Sequence, residues 1–175
     1  MKNFTSSFSG DHHFRLNAAK FVSLKNIWNN RLLSGHYWRF YWNNMSGAGL
    51  RINGQKMKLK PDYFYIIPPE CGLYTWCTEE DPPYQFYVHF EMTRLHKKSS
   101  LQFRELPIRE NEKILLLKII ESLQNTSLQE TPYLQLQIIA LVSNVLTQME
   151  ADDFEALHSD TEIEKICSAI RESPE

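Results

Sequence analysis

The first 60 residues contain a single acidic side chain, Asp11, against ten Lys or Arg. The remaining 115 reverse the balance, with twenty acids and nine basic residues, and the segment from Glu150 to Glu175 is especially acidic. The basic residues are dispersed rather than clustered. This favours two oppositely charged halves that face each other in the fold over a nucleic-acid-binding patch. Cysteine is scarce: Cys71, Cys77 and Cys167 form no C-x-x-C, which argues against a zinc knuckle or redox pair and for reduced thiols. No apolar run approaches the roughly 20 residues of a membrane-spanning helix. The opening "MKNFTSSFSGDHHFR" lacks the apolar core of a signal peptide, so a cytoplasmic location and no membrane partner are expected. Residues 37 to 67 contain no histidine, and no phosphate-cradling glycine motif or nucleophile–base pairing is present.

Glycine and proline are nearly missing from residues 109 to 173, where Pro132 stands alone. That stretch reads as helical. One helix is expected over about 110–124, with Leu116, Ile119, Ile120 and Leu123 as its apolar stripe. A second is expected over about 132–149, with Thr131 as cap, Pro132 in its first turn and a stripe of Leu134, Ile138, Leu141, Val145 and Met149. Leu136, Ile139 and Leu146 lie off that stripe. A helix apolar nearly all round must be covered on more than one side, and a second copy of the chain is the simplest cover. A third helix is expected over about 161–172, with Asp160 as its cap.

Residues 35 to 104 are rich in aromatics and turn signals and read as strands. Asn53-Gly54 is the preferred dipeptide of a type I′ hairpin, which pairs Ile52 with Gln55, Arg51 with Lys56 and Leu50 with Met57. Alternation then puts Leu50, Ile52, Met57 and Leu59 on a buried face. "YFYIIP" (63–68) is apolar on both faces and should be covered on both, with Pro68-Pro69 ending it because proline cannot continue a central ladder. In "YQFYVHFEM" (84–92), Phe86, Val88, Phe90 and Met92 form a packing face, and Gln85, Tyr87, His89 and Glu91 a polar-aromatic lining. In "HYWRFYW" (36–42) both faces are aromatic. Alternation separates Tyr37, Arg39 and Tyr41 from His36, Trp38, Phe40 and Trp42 without saying which set points inward. Residues 1–33 read as a polar N-terminal arm with a few apolar anchors, Phe21, Leu24, Ile27 and Trp28.

Strands followed by helices indicate an α+β layout. The order of features is specific: an Arg flanked by aromatics, "GAG", an Asn-Gly hairpin, "LKPDYFYIIPP", a loop, then "YVHF" and two amphipathic helices. It resembles the N-terminal effector-binding and dimerisation domain of AraC-type transcriptional regulators. The usual pattern there is L-x-P-G-D, an apolar run, then P-P-G. Here Asp62 lacks the preceding glycine, and Glu70 stands where glycine follows the prolines. The resemblance implies a cupin-like (jelly-roll) β-barrel followed by two to three C-terminal helices. The divisions would be an arm over 1–33, a sensing barrel over 34–108, a helical dimerisation region over 109–150, and an acidic link over 151–175 leading into a helix-turn-helix domain that this sequence does not contain.

Such a barrel would bind a small effector, with a sugar as one option, and would form a homodimer that acts on DNA only through that further domain. Arg39, Tyr41, Tyr65, Trp76, Tyr87 and His89 are the candidate ligand-binding residues, since aromatic faces stack on planar or sugar rings while Arg and His orient them. Leu136, Ile139 and Leu146 are the candidate dimer contacts. The resemblance also suggests an arm folding over the pocket, with Phe4, Phe8 and Phe14 as plugs. No catalytic residue, metal or cofactor is expected. Metal-dependent cupins carry a His-x-His…Glu cluster that is not found here, and His89 alone does not make a site. The alternatives are a cupin enzyme, or a dimerisation scaffold without ligand.

Overall fold

The structure, a computed structural model, describes residues 14–25, 27–52, 54–92, 95–97, 101, 103–125, 131–150 and 153–156. In chain order the strands are β1 (Phe14–Ser23), β2 (Leu32–Leu33), β3 (Trp38–Asn43), β4 (Ala48–Ile52), β5 (Gln55–Lys58), β6 (Tyr63–Ile67), β7 (Leu73–Cys77), β8 (Tyr84–Met92), β9 (Leu95–Lys97) and β10 (Arg104–Pro107). Helices α1 (Glu110–Gln124) and α2 (Pro132–Leu146) and a short strand β11 (Phe154–Ala156) follow. A five-stranded antiparallel sheet runs β1-β8-β3-β6-β10, a four-stranded sheet runs β2-β7-β4-β5, and β11 pairs with β9. The fold is α+β and jelly-roll-like, as expected.

The five-stranded sheet is covered on both faces, and this explains its composition. Trp38 and Phe40 of β3, Phe64 and Ile66 of β6, and Phe86, Val88 and Phe90 of β8 pack with Leu116 and Ile119 of α1 and Leu134, Ile138 and Leu141 of α2. The opposite face turns Tyr41, Tyr65 and Ile67 toward Ala48 and Leu50 of the smaller sheet and toward Leu24, Trp28 and Leu33 of the connecting segment. The inward set of β3 is therefore Arg39, Tyr41 and Asn43. Sequence alternation cannot decide this, because both faces of the strand meet a core.

The hairpin register is the expected one: Ile52 opposes Gln55, Arg51 opposes Lys56 and Leu50 opposes Met57. Asn53 lies outside the described residues, and Gly54 has φ +81°. Leu50 and Leu59 are fully buried, while Ile52 and Met57 at the hairpin's end are half-buried. Gly49 has no room for a side chain, since a Cβ there would lie 1.8 Å from the Met57 carbonyl oxygen and 2.7 Å from the Trp76 indole nitrogen. β6 ends at Ile67, immediately before Pro68-Pro69. After the prolines the chain turns with Glu70 at φ +52°, in the left-handed region that favours glycine. The conformation explains the glycine usual at this position. Glu70 retains it while pairing with His36 at 2.8 Å on the surface.

Three expectations change. Part of the polar arm, Phe14–Ser23, is a full edge strand paired along β8. A bulge between Leu16 and Ala18 breaks its two-residue alternation, which hides the strand in the sequence. Phe14 stacks on Phe90 at 4.9 Å on the helix-covered side, so it plugs no cavity. Phe4 and Phe8 lie outside the described residues, as does the third expected helix. The second helix ends at Leu146 rather than 149. It closes with tighter bonds from the Gln148 N–H to the Val145 carbonyl (3.0 Å) and from the Met149 N–H to the Leu146 carbonyl (3.1 Å).

The helices are fastened to each other by polar contacts. The buried Glu112 carboxylate accepts from the Arg109 backbone N–H (2.9 Å), Asn144 Nδ2 (3.2 Å) and Gln148 Nε2 (2.9 Å), capping α1 and tying it to the end of α2. Thr131 Oγ1 accepts from the Leu134 N–H (3.3 Å) and caps α2. None of the described helices is long and apolar enough to cross a membrane.

Candidate functional site

Between the two sheets lies a cavity of about 310 Å³, near the lower end for ligand pockets. Its floor is the inward face of β1, β8 and β3, and strand register arranges that floor in rows. The first row is Ala18, His89 and Arg39; the second is Lys20, Tyr87 and Tyr41; the third is Val22, Gln85 and Asn43. Successive rows are two residues apart, or about 7 Å. The opposite wall comes from the segment between β1 and β3, through Leu24, Trp28, Arg31 and Leu33.

Arg39 is 2% exposed. Its guanidinium donates to the carbonyl oxygens of Ser34 and Tyr37, and lies 4.4 Å from the Tyr37 ring centre. Among the described residues no acidic side chain pairs with it. His89 sits among three aromatic rings, with centroids 4.5 Å from Tyr37, 4.8 Å from Tyr87 and 6.2 Å from Tyr41. Burial, reinforced by Arg39 and Arg31, pushes the imidazole down to about 4, so it is neutral at pH 7. Burial pushes the Tyr41 phenol well above its ordinary range, opposed by Arg39, and Tyr87 moves the same way. Tyr41, Tyr87 and His89 are thus neutral at pH 7. Lys20, Arg31 and Arg39 line the cavity together, and among the described residues no Asp or Glu does.

Four of the six residues expected from sequence, Arg39, Tyr41, Tyr87 and His89, converge on this cavity. Tyr65 and Trp76 do not line it. The Tyr65 hydroxyl accepts from the Lys60 backbone N–H (2.9 Å) and donates to Glu105 (3.2 Å), so its polar tip is already engaged. The Trp76 indole donates to the Leu50 and Met57 carbonyls (3.2 Å each) and lies over Gly49. Sequence reasoning missed Lys20, Trp28 and Arg31 as site residues. The bulge obscured the phase of β1, and Trp28 and Arg31 sit in an irregular segment that has no period to read. Among the described residues no three His, Cys, Asp or Glu side chains gather as metal ligands.

Of the candidate dimer contacts, Leu136 is 64% exposed and Tyr133 beside it 70%, whereas Ile139 is half-buried and Leu146 packs against the chain's own core.

No protein-family model matches the sequence, and no curated protein matches it. Among solved structures the chain is similar to ToxT of Vibrio cholerae. The apo form of a ToxT variant aligns at TM-score 0.52 and 10% identity over 91% of this chain and 63% of that one. Wild-type ToxT with an unsaturated fatty acid bound aligns at TM-score 0.48 and 10% identity, over 91% and 65%. ToxT bound to (E)-4-(8-methylnaphthalen-1-yl)but-3-enoic acid aligns at TM-score 0.46 and 12% identity, over 90% and 65%. This chain spans just under two thirds of the length of these structures. The alignment at TM-score 0.52 establishes a shared fold, from the β-sheets through the helices that cover them.

Proposed function

We propose that this chain is the effector-sensing part of an AraC-type transcription regulator and that its cavity takes a small organic acid. The observation that carries the ligand class is electrostatic: among the described residues, three cations and no acid face one half-enclosed space. Arg39 supports this further, because it is buried against neutral acceptors only, and a buried cation gains most from a carboxylate that enters with the ligand. A neutral sugar is served less well, since it calls for acceptors as well as donors and the described lining holds no carboxylate. The sensor assignment is supported by the sequence resemblance and by the fold shared with ToxT, an AraC-family regulator. Tyr41, Tyr87 and His89 act as neutral walls around the ligand. Sequence divisions at about 34, 109 and 151 give the sensing, helical and linking parts of this reading. DNA contact belongs to a domain outside this sequence, and no step calls for catalysis or a cofactor.

In this reading the helices pair two copies of the chain through the exposed strip of Tyr133 and Leu136, with Ile139 at its edge. Leu146 is mostly committed to the chain's own core. The ligand acts by favouring one of two arrangements of arm or helices.

Thermal-shift and calorimetric titration with a panel of medium-chain carboxylates and sugars tests the ligand class. A carboxylate should bind, and Arg31→Gln, at an exposed position, should weaken it about tenfold while leaving the fold intact. Stabilisation by sugars and not by acids would reverse the proposal. Light scattering should give a dimer that Leu136→Glu dissociates; a monomeric wild type would refute the pairing.

A further inference from the structure

The third row of the cavity floor contains hydrogen-bonding groups left unused. Gln85 and Asn43 are cross-strand partners, both 0% exposed. They share one bond, from Gln85 Nε2 to Asn43 Oδ1 at 3.0 Å. Gln85 Oε1 and Asn43 Nδ2 have no partner, nor does the indole N–H of Trp28, which is 5% exposed. Gln85 and Trp28 both line the cavity. Turning both amides over changes nothing essential, since one carbonyl and one amino group again remain unpaired. Buried polar groups are normally paired, and here an unpaired acceptor on Gln85 and an unpaired donor on Trp28 belong to residues that line the same cavity, with Asn43 bonded to Gln85 behind them.

The cations occupy the other rows. Arg39 lies two rows away and Lys20 one row away, so the amide end is about 7 to 13 Å from the positive charge. Aliphatic and aromatic side chains, Val22, Leu24 and Tyr41 among them, line the space alongside.

We infer that the effector is bifunctional: a carboxylate at the Arg39 end and, separated by an apolar chain, a hydroxyl or primary amide held by Gln85, Asn43 and Trp28. A hydroxyl donates to Gln85 Oε1 and accepts from the Trp28 indole or from Asn43 Nδ2, satisfying both kinds of unused group at once. A second carboxylate only accepts, and would face the Gln85 carbonyl with like partial charge. A bare alkyl end would leave all three groups unpaired. The inference rests on the carboxylate reading above and adds what the far end of the ligand must carry.

The test compares decanoate with ω-hydroxydecanoate by calorimetry on the whole chain. The hydroxy acid should bind at least tenfold more tightly. Gln85→Leu should abolish that preference, so that the two acids bind the variant alike. Trp28→Phe, which removes the indole N–H and keeps an aromatic ring, should reduce the preference in the same direction; it provides a second measurement should Gln85→Leu fail to fold. Equal binding of the two acids by the wild type, or a preference that survives in both variants, overturns the inference and leaves the carboxylate reading standing. Binding of neither acid overturns both.

Discussion

The imidazole of His89 links the site to a solution measurement that needs no ligand. In the unfolded chain it titrates near 6.5; in the fold, burial and the charges of Arg39 and Arg31 lower it to about 4. A group whose folded value is depressed in this way binds more protons unfolded than folded. Its contribution to stability is complete above about pH 7, and is lost as pH falls through 6.5 toward 4. Between pH 7.5 and 4.5 the undiscounted loss from this one proton would be about 2.5 kcal/mol, and because the ring is only partly buried, screening by solvent reduces it to about 1 to 2 kcal/mol. Carboxylates elsewhere also titrate in this range, so the quantity to measure is a difference. Urea unfolding of wild type and His89→Gln at a series of pH values should show wild type losing about 1 to 2 kcal/mol more than the variant by pH 4.5. The other charged groups on this face of the sheet, Lys20, Arg31, Arg39 and Glu91, the last bonded to Asn17 at 2.7 Å at the far end of β8, are common to both proteins and drop out of the difference. Parallel pH profiles for the two proteins would mean that His89 is charged or solvated in the fold, and would remove the neutral wall from the site.

The left-handed backbone at Glu70 predicts that Glu70→Gly is more stable than Glu70→Ala by about 1 kcal/mol, because both lose the exposed pair with His36 and only glycine relieves the φ. Equal midpoints in denaturant would show that the turn relaxes around any residue. At Glu112, replacement by Ala removes the cap of α1 and leaves the amides of Asn144 and Gln148 without their acceptor. A loss of about 3 kcal/mol is expected by thermal or chemical unfolding. A loss below about 0.5 kcal/mol, the range of ordinary surface substitutions, would mean that this carboxylate does not hold the helices together.

What the sequence makes legible here depends on whether one periodicity governs a segment. In β8 a single alternation separates Phe86, Val88 and Phe90 from Gln85, Tyr87 and His89, and the structure keeps that division. α1 likewise follows its 3.6-residue stripe from end to end. β3 defeats the same reasoning, because helices cover Trp38 and Phe40 while the second sheet covers Tyr41, and two buried faces leave no polar side to mark the outside. Alternation also gives the direction of a side chain but not its commitments. Tyr41 and Tyr65 oppose each other in register on the same inward face, yet Tyr65 reaches Lys60 and Glu105 at the sheet's edge while Tyr41 remains on the cavity. Only the route of the segment between β1 and β3 decides which inward residues end up lining space and which end up covered. That segment brings Trp28 and Arg31 to the cavity, with Trp28 edge-on to Tyr41 at 5.3 Å, and it has neither strand nor helix period to announce it. The cavity's charge was foreshadowed more coarsely: Lys20, Arg31 and Arg39 all come from the first 60 residues, where Asp11 is the only acid. The basic bias that reads as a dispersed surface property in the sequence is, at these three positions, gathered around one cavity.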